Sequence, residues 1–140
     1  MKRNAIDEAL DLAVSAHKGQ VDKAGAPYIW HVVRVALAQP DELRTVVALL
    51  HDVVEDTDIK LLEIHSRFGR EVADAVHAIT KRSGESLAAY LERVRANATA
   101  RAVKLADIAD NSDPIRLGTL PEADRRRLQR KYEDALHALA

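Results

Sequence analysis

The segment His51-Asp52-Val53-Val54-Glu55-Asp56 carries ionisable groups at a spacing that could do metal chemistry. On a helix, positions three and four apart share a face, so His51, Asp52, Glu55 and Asp56 are expected to project from one side. Val46 to Leu50 and Val53-Val54 flank them with apolar side chains, which predicts a largely buried helix. Clustered carboxylates there repel one another and lose hydration unless a cation sits among them. Acids at the end of a helix also oppose its dipole and call for the same remedy. A second segment, Arg101 to Asn111, sets Lys104, Asp107 and Asn111 on one face of an otherwise apolar helix. A cation, an acceptor and an amide then point the same way.

With no cysteine in the chain, disulfides and thiolate metal sites are excluded, and any ion must take nitrogen and oxygen ligands. Imidazole with carboxylate suits Mn²⁺, Fe²⁺, Zn²⁺ or Ni²⁺, whereas an all-oxygen cage would favour Mg²⁺ or Ca²⁺. An octahedral ion with protein ligands at only some positions keeps others open for substrate and for a water made acidic near neutral pH.

The elements that must position these groups read as helices. Asn4 can cap a first helix to about His17, followed from Gly19 to Pro27 by an ordered loop with side chains free to face a ligand. A helix from about Tyr28 to Leu37 contains His31 and is stopped by Pro40. Asp41 caps the next, expected from Glu42 to about Asp56. Asp58 is expected to cap a short helix over Ile59 to Phe68, and Gly69 breaks the chain before a helix through Val72, Ala73, Val76 and Ile79. After a polar loop from Thr80 to Glu85, Ser86 caps a helix carrying Leu87, Tyr90, Leu91 and Val94, and a long helix runs from about Ala98 to Asp110. Pro114 and Gly118 interrupt the chain, and Pro121 opens a last helix ending near Leu139. No segment alternates like a half-buried strand, so the expected fold is all-α, about eight helices in a single domain over residues 1–140.

A hydrophobic content of 47% is enough for a core at this length, and 21 basic against 22 acidic side chains leave little net charge. The expected partner is therefore a small molecule, with neither nucleic acid nor membrane involved. Arg125-Arg126-Arg127 with Arg130 and Lys131 reads as the solvated face of the last helix. The acidic residues near the N-terminus interrupt any signal-peptide core, and no apolar run approaches the roughly 18 residues of a membrane span, so a cytoplasmic location is expected. Trp30 is expected in the core or a pocket wall, and His17, His65, His77 and His137 at surface or packing positions.

The order of a histidine at 31, the doublet His51-Asp52 and a distant Asp107 resembles the HD-domain superfamily of metal-dependent phosphohydrolases. Ala16-His17-Lys18-Gly19-Gln20, Lys23 through His31, Ala48 through Thr57, Phe68-Gly69 and Val103 through Asp107 resemble more narrowly the hydrolase domain of RelA/SpoT homologues, over about Ala9 to Asn111. The resemblance implies Mn²⁺-dependent removal of the 3′-pyrophosphate of (p)ppGpp, the nucleotide of the stringent response, to leave GDP or GTP. It implies His31, His51, Asp52 and Asp107 as metal ligands, and Glu55 and Asp56 as the pair that orients and deprotonates water. Lys23 and Asn111 would bind the nucleotide, with Lys104 and either Lys81 or Arg82 adding positive charge.

The chain departs from the larger homologues at Asp22, where they have a basic residue, and at Ala24 and Ala26, where they have serine and glutamate. The pattern Asp-Arg-Leu-His-Asn becomes Asp107-Ile108-Ala109-Asp110-Asn111. The likeness is to the small stand-alone hydrolases, and synthesis of the nucleotide is not expected. Two other functions fit the same residues: a phosphatase for another phosphorylated nucleotide such as NADPH, and a non-catalytic nucleotide-sensing module.

Overall fold

Residues 4–140 are described by a computed structural model. Among them the helices are α1 (Ala5–Ala16), α2 (Tyr28–Leu37), α3 (Glu42–Leu50), α4 (Val53–Asp56), α5 (Leu61–Phe68), α6 (Arg70–Ile79), α7 (Leu87–Arg95), α8 (Ala98–Asn111), α9 (Pro114–Leu117) and α10 (Glu122–Leu139). No strand occurs among the described residues. The one β-like feature there is an isolated antiparallel bridge between Val21 and Pro27, which closes the loop before α2. No helix among them is long and apolar enough to cross a membrane. The architecture is the expected all-α bundle, with α4 and α9 as additional single turns.

The helices begin where short polar side chains can accept from free backbone N–H groups. Asn4 accepts from Asp7, Asp41 from Arg44, Ser86 from Ala89 and Asn97 from Ala100. Asp58 does not act in this way. The chain stays extended through Lys60, so α5 begins at Leu61, while Thr57 Oγ1 accepts from Ile59 N. Gly69, at φ 92°, makes the sharp break between α5 and α6 in a conformation open to glycine.

Helix α3 lies at the centre, packed against α1, α2, α6 and α8, and its residues Val46 to Leu50 are all buried. Helix α8 packs in turn against α2, α3, α6, α7 and α10. Its buried stripe, Ala100, Val103, Asp107 and Ile108, follows the helical period, so one carboxylate is carried into an otherwise apolar seam. The expected single helix from Glu42 to Asp56 is broken. It ends at Leu50, turns through His51 and Asp52, and resumes as α4. The His51 ring Nδ1 sits 2.5 Å from the Ala48 carbonyl oxygen, the acceptor that a continuous helix would offer to the backbone of residue 52.

Because α8 carries residues central to the site, its cap should matter to the whole domain. Asn97→Ala is expected to lower stability by about 1 kcal/mol in chemical denaturation, through loss of the bond to Ala100 N. An unchanged midpoint would show that this cap contributes nothing.

Candidate metal centre

Helix α2, the α3–α4 turn and α8 converge on one buried point. His31, His51, Asp52 and Asp107 each offer an atom there, and these atoms lie within 4.8 Å of one another. His31 Nε2 is 2.8 Å from Asp107 Oδ1. His51 Nε2 is 2.9 Å from Asp52 Oδ2 and 3.4 Å from Asp107 Oδ1. Asp52, Glu55 and Asp56 form a second, more open group with the same 4.8 Å limit, so the doublet and the two following acids are neighbours as expected.

A surrounding ring of side chains fixes these groups. Tyr28 donates its hydroxyl to Asp52 Oδ2. Lys104 Nζ donates to Asp107 Oδ2 at 3.0 Å and lies 5.4 Å from the centre of the Tyr90 ring. Asn111 Nδ2 donates to Asp107 Oδ1 at 3.3 Å. His31 Nδ1 faces Asp110 Oδ2 at 2.6 Å, and Asp110 also receives Arg34 through Nε at 2.7 Å and Nη2 at 3.1 Å. Tyr28 and Asp110 carry no role in the sequence reading. The signal for both was helical spacing, since Tyr28 and Arg34 flank His31 three residues away on α2, and Asp110 follows Asp107 by three on α8.

The donor set suits a divalent cation. A carbonyl oxygen only accepts, so His51 Nδ1 must carry a proton for Ala48, which leaves Nε2 aimed at two carboxylates. That buried Nε2 has no hydrogen-bond partner of good geometry. A metal bonded to its electron pair would resolve this, and the charges of Asp52 and Asp107 would match those of the ion. Without an ion, protons must fill the role. Burial disfavours a charged His51 ring, yet the negative charges of Asp52 and Asp107 outweigh it and raise its pKa well above the ordinary value. His31 is raised for the same reason, burial being outweighed chiefly by Asp107. Burial likewise opposes ionisation of Asp107, but the Lys104 charge, the hydrogen bond from His31 and the charge of His51 hold its pKa well below the usual carboxylate range. Burial and the Asp52 charge push the Tyr28 hydroxyl upward, so it stays protonated and remains a donor.

A cavity of about 470 Å³ opens beside Asp107, within the size range of small-molecule sites. Lys23, Lys81, Lys104, Arg116 and Lys131 supply five cations to its lining. Glu55, Asn111 and Asp22 also face it, while Leu87, Leu91, Leu128 and the rings of Tyr90 and Tyr132 form an apolar wall. Burial, followed by the charges of Lys23, Lys104 and Lys81, lowers the pKa of Lys131. These ammonium groups therefore repel one another across the cavity, a repulsion that an anion would relieve. Lys131 is exposed, as expected for that face of α10, but it also borders the cavity, whereas Arg126 and Arg127 pair outside with Glu122 and Asp124. The Arg82 guanidinium turns away to His77 while its backbone N–H donates to Glu85, leaving Lys81 as the cation at that end. Asp56 does not line this cavity, and borders a smaller hollow with Gln20 and Thr57. Trp30 is 57% exposed, so it is neither core nor pocket wall, since α2 turns it away from the face that carries His31. His17 is a buried packing residue against Tyr28, with ring centres 5.1 Å apart.

Residues 9–131 match the family model described as HD domain. The chain belongs to the HD domain family. Membership in the HD domain family implies a divalent metal, and the His/Asp cluster is a site of the right chemistry for one. Among curated relatives the chain is 32% identical over 145 residues to guanosine-3′,5′-bis(diphosphate) 3′-pyrophosphohydrolase of Aquifex aeolicus, covering 96% of this chain and 21% of that protein. It is 36% identical over 150 residues to the probable enzyme of the same name from Synechocystis, covering 96% and 20%. It is 34% identical over 148 residues to the bifunctional (p)ppGpp synthase/hydrolase SpoT of Escherichia coli, covering 96% and 21%. The chain thus spans about a fifth of the length of these relatives. A solved structure described as a metazoan ortholog of SpoT that hydrolyzes ppGpp aligns with a TM-score of 0.83 at 25% identity, covering 99% of this chain and 87% of that one. The HD domain fold is therefore shared across nearly the whole chain.

One electrostatic consequence can be measured. Burial, then the negative charges of Asp52 and Glu55, raise the Asp56 carboxyl to about 6 in the metal-free protein, protonated below that pH and ionised above it. A divalent ion beside Asp52 would cancel the main repulsion, so adding metal should move this titration downward. Carboxyl ¹³C NMR with and without metal would report it, and an Asp56 that titrates like a free aspartate before metal is added would contradict this picture.

Proposed function

We propose that this protein is a metal-dependent phosphohydrolase that removes the 3′-pyrophosphate of (p)ppGpp to give GDP or GTP, with Mn²⁺ held by His31, His51, Asp52 and Asp107. The observation that carries the reading is a cluster of imidazole and carboxylate acceptors that meets, through Asp107, a cavity ringed by five cations. Relatives named as (p)ppGpp 3′-pyrophosphohydrolases support the substrate. The mixed nitrogen and oxygen donors support a transition metal over Mg²⁺ or Ca²⁺. Cations gathered around one cavity support a small nucleotide rather than a nucleic acid, whose backbone needs a continuous basic surface. Action on a nucleotide pool supports a cytoplasmic location.

When bound, the divalent ion would polarise a phosphoryl oxygen and make a water acidic enough to attack phosphorus near neutral pH. Glu55 lines the cavity beside Asp52, where its carboxylate can take the proton from the attacking water. Its Oε1 accepts from the backbone N of Lys81 at 2.7 Å, which fixes its reach. Asp56 on the other side of Asp52 orients that water. Lys23, Lys81 and Lys131 neutralise the phosphate oxygens as charge builds on them, and Lys104 balances Asp107. Asn111, which lines the cavity, would contact the ribose, and Tyr90 and Tyr132 would offer ring faces to the nucleoside. Water adds to the departing pyrophosphate, and the nucleotide's 3′ oxygen leaves with a proton.

The purified protein should contain about one transition-metal ion per chain by elemental analysis, and Asp52→Ala should lose both ion and activity. A chain without metal whose activity Mn²⁺ cannot restore would defeat the proposal. Glu55→Gln should keep the ion and lose roughly a hundredfold or more in turnover. Unchanged turnover would remove Glu55 from the proton transfer. A panel of (p)ppGpp, NADPH and GTP with Mn²⁺ should show pyrophosphate release from (p)ppGpp. Phosphate release from NADPH with (p)ppGpp left intact would overturn the substrate but keep the enzyme class.

A further inference from the structure

The His31 ring meets an acid on both sides, Asp107 at Nε2 and Asp110 at Nδ1, at 2.8 and 2.6 Å. An imidazole can turn over about its side-chain bond, and the nitrogen that faces a metal is set by the partner of the other. We infer that Asp110, clamped by Arg34 and Arg116, is a positioning residue that fixes the tautomer and angle of His31 so that Nε2 is presented to the ion. The inference rests on the metal site proposed above and assigns a task to a residue outside its ligand set.

The geometry separates this task from ligation. Asp110 is not among the residues that offer an atom to the cluster. Its Oδ1 accepts from Arg34 Nε, and its Oδ2 accepts from His31 Nδ1 and Arg34 Nη2 and lies 3.1 Å from Arg116 Nη2. Arg116 also donates to the Asp110 backbone carbonyl. Both carboxylate oxygens are thus held by cationic donors, and the group has no freedom to swing toward the ion. An ionised carboxylate only accepts, so Nδ1 keeps a proton for Asp110, while the proton that Nε2 shares with Asp107 is the one a bound ion would displace. His51 is oriented differently, by the neutral carbonyl of Ala48. The two histidine ligands therefore differ in their outer partners, and His31 has the charged one, which makes the ring a stronger electron donor. The side chains of His31 and Asp110 are 4% and 13% exposed, so water does not readily substitute for the carboxylate.

The test compares the full chain with Asp110→Asn and Asp110→Ala. Asparagine keeps an oxygen for Nδ1–H without the charge, and alanine removes both. Mn²⁺ affinity, read from free Mn²⁺ by electron paramagnetic resonance, should weaken about tenfold in D110N and up to about a hundredfold in D110A. Ring ¹⁵N NMR of the Zn²⁺-loaded proteins should show His31 with its proton on Nδ1 in the wild type and in D110N, and a mixture of tautomers in D110A. Thermal unfolding of the metal-free proteins measures any purely structural role separately, and D110N remains informative if D110A does not fold. Lower stability with wild-type Mn²⁺ affinity in D110N would overturn the inference while leaving the metal site intact. A wild-type protein that binds no divalent ion would overturn both.

Discussion

The contact between Asp107 and the two imidazoles is the constraint on which the rest of the domain turns. It joins α2, the α3–α4 turn and α8 through groups 76 residues apart in sequence, in a place where water cannot screen them. Such a cluster is costly to bury unless its charges cancel and its donors match its acceptors. Lys104, Tyr28 and Asn111 supply donors on the protein side, and Asp110 with Arg34 and Arg116 supplies a balanced set behind His31. Even so, His51 Nε2 still faces two acids. The apolar seam of α3 and α8 lowers the local dielectric around this remainder, which raises the cation's value to the folded state.

The cavity extends the same electrostatics with opposite sign. The metal cluster is rich in acceptors, whereas the adjoining space is ringed by lysines that raise one another's energy. A ligand that satisfies both must be an anion with oxygen atoms able to reach the ion, and a nonpolar part able to meet Leu87, Leu91 and the tyrosine rings. Phosphorylated nucleosides have this distribution. The arginine-rich face of α10 does not compete for them, since Arg126 and Arg127 pair with acids on their own helix.

Much of this was legible in the sequence because helices translate spacing into faces. The caps at Asn4, Asp41 and Ser86, the break at Gly69, and the shared face of Lys104, Asp107 and Asn111 follow from residue type and period alone. The outer partners were less visible, for Arg116 and Lys131 reach the cavity from α9 and α10, and only tertiary packing decides which of several exposed cations turns inward. Asp110 had the right spacing, but an acid beside another acid reads as surface charge until the arginine and histidine that face it are known. Trp30 misled because aromatic residues usually seek burial, yet its position on α2 is opposite the stripe that carries His31, Val32, Val35 and Ala36 inward.

The most instructive departure is the broken helix at the doublet. In a continuous helix, successive side chains diverge by about 100°, so adjacent residues must lean toward each other to share one ion. His51 and Asp52 do meet, at 2.9 Å, because the helical path ends at Leu50 and Asp52 adopts φ −108° and ψ 0° before α4 begins. At the same turn the Ala48 carbonyl, which accepts from the His51 backbone N–H at 3.5 Å, also accepts from the His51 ring and orients the imidazole as the backbone changes direction. Helix α4 then restores the period, and Glu55 and Asp56 return to Asp52 at three and four residues' distance. One local break thus brings the two side chains of the doublet together with a pair of acids beside them, and the Ala48 carbonyl that a longer helix would offer to residue 52 becomes the group that sets the His51 ring's proton.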